Sequence, residues 1–470
     1  MLAMQFDSMY GIIVLIALLA FSGIAAQFHR RRAVAFAVGM LLLAGIAALS
    51  AYEFWSGASF VLFGMLHAYR FSMLFTALFA VGLAMVDTLS YEHGESFISM
   101  SMLLGFAAVG IFIVPMASSL LAILLAVELA SIPTILMVAI TGRHRTEAAV
   151  KLFLMGSIAI AVLAFAIAMI FPYDASLSLS AFQASPSLQG SYIVALSLVL
   201  FIAALGMEAA LFPFNLWVPD VYEGAPGNVT ALLAGINKKV AFVALMEVLF
   251  TVFIISRPTF SAMLQVLAIA TMFFGNLAAM VQRSVKRLFA YSSISQAGYI
   301  TVGIAVATQY GIESSIFQII AHMLMIIGAF AIVLWLEERN IKSIDDYRGL
   351  AYRNGFAGIA LTIMMLSMAG VPPLIGFVGK FLLFSSAIAS GLLVLALIGI
   401  LNSFLSIYYY ARVMSAIYDR RLEHSLAMDK ATAAVVAVIL GAIVLIGIYP
   451  GPLISIAQQA AHSLIISAAI

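Results

Sequence analysis

Runs of roughly 20 apolar residues, the length that crosses a bilayer's hydrocarbon core, follow one another along almost the whole chain, separated by short polar breaks. Hydrocarbon offers the backbone no hydrogen-bond partner. Each run must therefore satisfy its own amides, and a helix is the solution open to it. The breaks divide the chain into about fourteen spans on a hydropathy reading. They lie near 8–28, 33–52, 70–89, 97–114, 117–140, 146–171, 191–211, 228–253, 260–281, 288–309, 312–336, 355–389, 391–416 and 431–449. The expected class is an all-α polytopic membrane protein. Composition agrees: 65% of the 470 residues are hydrophobic and 9% charged, against about 25% charged in soluble domains. The run 57–69 is too short for a span, and the tail from Pro452 reads as an amphipathic or peripheral helix.

Positive residues fall in alternate loops. One set holds Arg30–Arg32, Arg143, Arg145, Arg283, Lys286, Arg287, Arg339, Lys342, Arg348, Arg353, Arg420, Arg421 and Lys430, and the other only Arg70 and Arg257. Basic loops stay cytoplasmic, so both termini are expected outside. No signal-peptide layout precedes the first run, because the cluster HRRR follows it. No basic stripe suits nucleic acid. With no cysteine in the chain, a disulfide framework, a thiolate metal site and an iron–sulfur cluster held by this chain are excluded, and no metal site is expected.

A charge at the centre of a membrane helix costs at least about 2.5–3.5 kcal/mol on insertion scales, so the charges inside spans carry the information. Glu128 stands in LLAVELASIPTIL, and Glu208 stands in GMEAALFPFNLWVPD at the same distance before a proline, Pro133 and Pro213 respectively. A proline frees the carbonyl one turn back, and in a membrane such a break needs protein or water around it. Both carboxylates therefore read as hydrated sites in preference to protonated acids bonded to a neighbouring helix. Lys238 and Lys239 lie too deep for both to snorkel, and being adjacent they point in different directions. Burial brings the proton affinities of lysine and carboxylate together, which suits exchange of protons between them. Lys380 follows a mid-span break at Pro372 and Pro373. Lys151 is near enough to an end to snorkel, and His322 fits a core or a path role equally well. Glu247 reads as the partner of a lysine on its own helix, and His67 and Arg412 read as interfacial.

The breaks at Pro213 and at Pro372–Pro373 are about 160 residues and five spans apart, hence in oppositely directed helices, the pattern of inverted repeats around a midplane ion path. The expected organisation is one transmembrane domain, 1–470. It comprises three N-terminal helices (1–96), a first repeat (97–253), an inverted second repeat (260–416) and C-terminal helices (417–470). The charges string out along the chain, which suits proton hopping better than binding of a bulky solute.

At this point several segments match a known pattern. LFPFNLWVPDVYEGAPGNVTALLAG, VKRLFAYSSISQAGYITVG, YRGLAYRNGFAGIALTIMMLSMAGVPPLIGFVGKF and LNSFLSIYYYARVM resemble signatures of the antiporter-like membrane subunits of respiratory complex I, in the form of subunit N. With ELASIPTILMVAITGRHRTEAAVKLFLMGS the resemblance covers nearly all of the chain from residue 97. It implies fourteen spans, two inverted five-helix repeats and proton pumping driven by electron transfer in other membrane and redox subunits. Flavin, iron–sulfur clusters and quinone would belong to those partners, with no cofactor on this chain. It also implies that Glu128, Lys151, Lys238 or Lys239, and Lys380 stand on the family's path positions. Glu208 departs from the pattern, because that position is usually lysine. The competing expectations are a subunit of a Na+/H+ exchanger and a non-pumping scaffold. Lys151 or the lysine pair is expected to supply the positive charge between Glu128 and Glu208.

Overall fold

The structure, a computed structural model, describes residues 2–29, 31–62, 64–93, 97–140, 145–183, 191–420 and 424–467. Arg30, Arg143 and Arg421, used above to orient the chain, lie outside the described residues. Helices α1 (Leu2–His29), α2 (Arg32–Ser56), α3 (Arg70–His93) and α4 (Phe97–Ile113) pack together at the N-terminal end. Between α2 and α3 the short apolar run forms an antiparallel hairpin, β1 (Phe60–Leu62) against β2 (Leu66–Ala68), with Phe60 opposite Ala68. It is a small exception to the helical class.

Next come α5 (Leu120–Ala139), α6 (Arg145–Ile170), the short α7 (Leu179–Gln183), α8 (Tyr192–Ala209), α9 (Trp217–Gly224), α10 (Gly227–Leu232) and α11 (Lys238–Thr251). The chain continues through α12 (Arg257–Met280), α13 (Val285–Val306), α14 (Gln309–Glu337), α15 (Leu350–Arg353), α16 (Gly355–Ala369), α17 (Ile375–Ala389), α18 (Leu393–Ile417), α19 (Lys430–Ile448) and α20 (Gly451–Ser467). Among the described residues, 12 helices are long and apolar enough to cross a membrane. The two other expected spans are α13, whose middle is polar with Ser292, Ser293, Ser295 and Gln296, and the pair α16 and α17, of 15 residues each. The tail is helical: α20 buries Ala457, Ala460, Ala461 and Leu464 and packs on α14 and α3.

Both expected breaks are present, and they are built alike. Helix α8 ends with Ala210 in the left-handed region (φ 61°), and α16 ends with Gly370 there (φ 92°). The next amides turn back in the same way, Leu211 N–H to Gly206 O (2.8 Å) and Val371 N–H to Leu366 O (3.0 Å). Both are the 6→1 bonds of a Schellman termination. The Phe212–Pro213 and Pro372–Pro373 peptides are both cis. Beyond them the helix resumes as α9 and as α17, so the first broken span extends to Gly224, well past its expected limit at 211. Pro133 behaves differently: it sits inside the continuous α5 and breaks nothing.

A second matched pair lies at helix starts. Ser119 caps α5 by accepting from Ala122 N–H, and Ser284 caps α13 by accepting from Arg287 N–H. Each serine forms an isolated antiparallel bridge, Ser119 with Ser178 and Ser284 with Ser343. Spans α5, α6, α8–α9, α10–α11 and α12 cross between them, so the two bridges lie at opposite ends of the bundle. At the centre stands α14, buried along its spanning length and wrapped by α10, α13, α16, α17, α19 and α20.

Candidate functional site

The site is a row of polar side chains buried among these helices. At its first end, Glu208 on α8 and Lys238 on α11 line one small cavity of about 20 Å³, together with Ser131, Thr134 and Asn237. That is room for one water molecule. Asn237 Nδ2 donates to Thr134 Oγ1 (3.0 Å), and its buried Oδ1 has no partner. Glu208 has no protein hydrogen-bond or ion-pair partner among the described residues. Lys238, one of the candidates expected for that place, lines the same cavity, and Glu128 is the charged neighbour whose field reaches Glu208.

The lysine pair is positioned by a π-turn, Leu233–Asn237, between α10 and α11. Such turns widen the helix by one residue and often accompany functional sites. Lys238 Nζ donates to Ser293 O and Oγ on α13, both at 3.1 Å. Lys239 Nζ donates to Ala234 O within the π-turn (2.5 Å) and meets His322 Nδ1 on α14 at 2.8 Å. Both lysines are fully buried, and they address different helices. With a lysine ammonium as donor, His322 Nδ1 is the acceptor and its proton sits on Nε2, which has no partner.

From His322 the row continues to Gln318, one turn earlier on α14. Gln318 Nε2 donates to Gln296 Oε1 (2.9 Å), and Gln296 Nε2 donates to Met368 O at the end of α16 (3.1 Å). Gln318 Oε1 is buried without a partner, and Tyr299 Oη neighbours Ser295 and Asn276 without a well-formed hydrogen bond to either. Orphaned polar atoms of this kind in a buried row are where bridging water sits. Lys380 closes the row on α17. Its Nζ donates to Ala369 O (3.0 Å), which the helix break exposes, and to Ser403 Oγ (2.9 Å). It also lies 4.6 Å from the centroid of the Tyr299 ring.

Five of the residues singled out in the sequence lie outside this row, and two of them, Lys151 and Glu128, are among those expected on the path. Lys151 is half-exposed at an end of the bundle and pairs with Glu147 (2.8 Å) and Asp220 (2.7 Å), not between Glu128 and Glu208. Asp220 in turn holds Arg287 (2.9 Å), which also holds Glu223 (2.9 Å). Glu128 is half-buried on a face of α5 where Leu121, Leu125, Leu129 and Ile132 are exposed. Glu247 is buried and accepts from Tyr69 Oη (2.5 Å); no lysine of α11 reaches it. His67 stacks on Tyr69, with ring centroids 4.6 Å apart, and bonds Ser59 Oγ (2.8 Å). Arg412 donates to the carbonyls of Met280 and Gln282 at the end of α12. Among the described residues no group of three or more His, Cys, Asp or Glu side chains could hold a metal ion.

The family profile described as NADH:quinone oxidoreductase/Mrp antiporter, TM, matches residues 117–406, which contain this entire row. The chain belongs to that family. It is 36% identical over 392 residues to the F(420)H(2) dehydrogenase subunit N of Methanosarcina mazei, covering 80% of this chain and 78% of that one. It is 32% identical over 457 residues to the NADH-quinone oxidoreductase subunit N of Desulforamulus reducens, covering 94% and 95%. Among solved structures it is similar to a chain of respiratory complex I from Thermus thermophilus with bound aureothin (TM-score 0.82, 28% identity, 94% of this chain and 98% of that one). It also shares its fold with a chain of the Mrp complex from Dietzia sp. DQ12-45-1b (TM-score 0.89, 20% identity, 97% of each).

In this member of the NADH:quinone oxidoreductase/Mrp antiporter family, the polar residues that link the lysines escape a search for charges. Gln296, Gln318, Tyr299, Ser403 and Asn237 are neutral. The signal that could have found them is spacing: Ser292, Gln296 and Tyr299 recur at helical intervals on α13, as Gln318 and His322 do on α14.

Proposed function

We propose that this chain is the proton-translocating, antiporter-like membrane subunit of a complex-I-like respiratory oxidoreductase. In this reading electron transfer in partner subunits drives protons through it. The observation that carries the reading is the buried row from Glu208 through Lys238, Lys239, His322, Gln318 and Gln296 to Lys380, with partnerless polar atoms along it. Membership of a family whose relatives are named subunit N of redox complexes supports the redox coupling.

Protons enter the row at Glu208 and Lys238, from the side of the basic loops. They pass Lys239 and His322, cross the glutamine link, and reach Lys380 for release on the opposite side. Unit charges 4 Å apart interact by about 4 kcal/mol at an effective dielectric of 20, so a proton arriving on one lysine disfavours a proton on the next. Glu128 and Lys151 flank the row and bias its first half. The breaks at Pro213 and at Pro372 and Pro373 expose backbone carbonyls at membrane depth, and Lys380 uses one of them, Ala369 O.

The domain limits follow: helices 1–96, repeats 97–253 and 260–416, and C-terminal helices 417–470. The matched breaks and matched serine bridges support the repeat limits. The basic loops put both termini outside, in the plasma membrane of a prokaryote. Other membrane subunits would flank this chain, and flavin, iron–sulfur clusters and quinone would reside in partners, making this chain a translocase part of an enzyme that does its redox chemistry elsewhere.

Two other readings have one observation each. The family description also names Mrp antiporters, so a Na+/H+ exchanger subunit would use the same residues. The glutamate at 208 would suit a scaffold that no longer pumps. Purification of the intact assembly in mild detergent, followed by mass spectrometry, separates the first two. Copurifying iron–sulfur subunits are expected, and an assembly of membrane subunits alone would sink the redox reading. Proton-to-electron ratio in Lys380→Ala tests the scaffold: an unchanged ratio favours it.

A further inference from the structure

A large cavity lies outside the polar row. It is an open cleft of about 880 Å³ where the α12–α13 connection, the turn Ile344–Tyr347 and the end of α18 meet, lined by Arg283, Asp345, Arg348, Arg412, Tyr408 and Asp419. Its volume falls in the range of about 300–1,000 Å³ usual for small-molecule sites. The three arginines differ in how they are satisfied. Arg348 is balanced by Asp345 (2.9 Å) and Asp419 (3.7 Å). Arg412 donates only to main-chain carbonyls, those of Met280 and Gln282, so no carboxylate pairs with it. The exposed guanidinium of Arg283 has no partner among the described residues. The cleft therefore carries surplus positive charge on a framework fixed by the bonds of Arg412 and Arg348.

An apolar track leads out of it. Tyr408 lines the cleft, and one, two and three turns back along the same face of α18 stand Phe404, Leu401 and Leu397, exposed by 64%, 53% and 55%. Tyrosine at the mouth and arginines above it are the arrangement of a membrane interface. The track then runs toward the hydrocarbon core. A free phosphate would use only the arginines, whereas a molecule with an anionic head and an acyl chain uses both features.

We propose that this cleft binds the headgroup of an anionic phospholipid, with an acyl chain laid along Tyr408, Phe404, Leu401 and Leu397. Basic pockets between helices on the cytoplasmic side of membrane proteins take such headgroups. The proposal does not depend on which ion the polar row carries.

The test uses the assembled complex in nanodiscs of phosphatidylcholine with a minor fraction of phosphatidylglycerol, with retained lipid read by native mass spectrometry. One phosphatidylglycerol per chain is expected to be retained over phosphatidylcholine. Arg283→Gln should weaken that retention about fivefold, the worth of one interfacial arginine. Phe404→Gln should weaken it while leaving its salt dependence as it was, and inorganic phosphate should not displace the lipid. Equal retention of the two lipids overturns the proposal. So does unchanged retention in both variants, or displacement by inorganic phosphate, which would make the cleft a simple anion site. A photoreactive side chain at Ser415, which also lines the cleft, that crosslinks to another subunit would likewise overturn it, by giving the cleft a protein occupant.

Discussion

Asp220 and Lys380 stand at the same place in the two broken spans, each at the same distance beyond its cis-proline, Pro213 and Pro373. They carry opposite charges. Lys380 is buried against Ala369 O, Ser403 and the Tyr299 ring. Asp220 is held by Lys151 and Arg287 at the end of the bundle. The two breaks thus share a backbone and differ in the side chain they carry: a buried lysine at one, an ion cluster with an acid at its centre at the other.

Lys380→Met should remove proton translocation and leave assembly intact. Ser403 Oγ donates to Ala369 O on its own (3.1 Å), so the substitution leaves that carbonyl with a donor and keeps the packing volume. Pumping rate in reconstituted vesicles should fall by at least tenfold, about 1.4 kcal/mol or more in barrier terms. An unchanged rate with normal assembly would remove Lys380 from the path.

Glu208→Lys introduces the residue that the sequence resemblance implies at this position, and it should impair this chain. Lys238 already lines the cavity that Glu208 faces, so the substitution sets two cations around one water-sized space. Charge repulsion at low dielectric is expensive. Reduced pumping that a second change, Lys238→Met, partly rescues is the expected result. Full activity of Glu208→Lys alone would mean that Lys238 is not the partner.

The sequence announced the spans, the two breaks and the lysines, because length, proline and charge in hydrocarbon are strong signals that one chain carries by itself. It could not show what the charges meet. Glu247 was assigned a lysine and has Tyr69; Lys151 was offered to two glutamates and has Asp220 and Glu147. Tyr69 and Asp220 are far from Glu247 and Lys151 in sequence, and only packing brings them together, whereas Glu147 stands one turn before Lys151 on α6. Pro133 and Pro213 read alike in sequence. One is absorbed by a continuous helix and the other ends its helix, because Ala210 adopts the left-handed turn that closes α8.

The bond from Tyr69 to Glu247 ties the hairpin region to α11, and it should be worth measuring by a double-mutant cycle. A buried hydrogen bond contributes about 0.5–1.5 kcal/mol net, and a buried partner left unsatisfied costs about 1–3 kcal/mol. Tyr69→Phe and Glu247→Gln should each lower thermal stability. The pair together should cost less than the sum, by about 0.5–3 kcal/mol of coupling. Additive losses would show that the contact carries no energy of its own.

His67, in β2 outside the spans, gives the hairpin a pH dependence whose sign can be stated. Burial pushes its imidazole down from 6.5 to about 4, so the docked hairpin prefers the neutral ring. An undocked ring takes a proton once the pH falls below about 6.5, whereas the docked ring resists until about 4. The undocked state therefore binds more protons between those values, and docking stability is full above pH 6.5 and declines as the pH falls toward 4. Hydrogen exchange at the amides of Phe60–Leu62 and Leu66–Ala68, corrected for intrinsic rate, should show more frequent opening as the pH is lowered through that window. His67→Phe, which keeps the stack on Tyr69 and cannot titrate, should abolish the trend; its persistence in that variant would assign the pH dependence to another group.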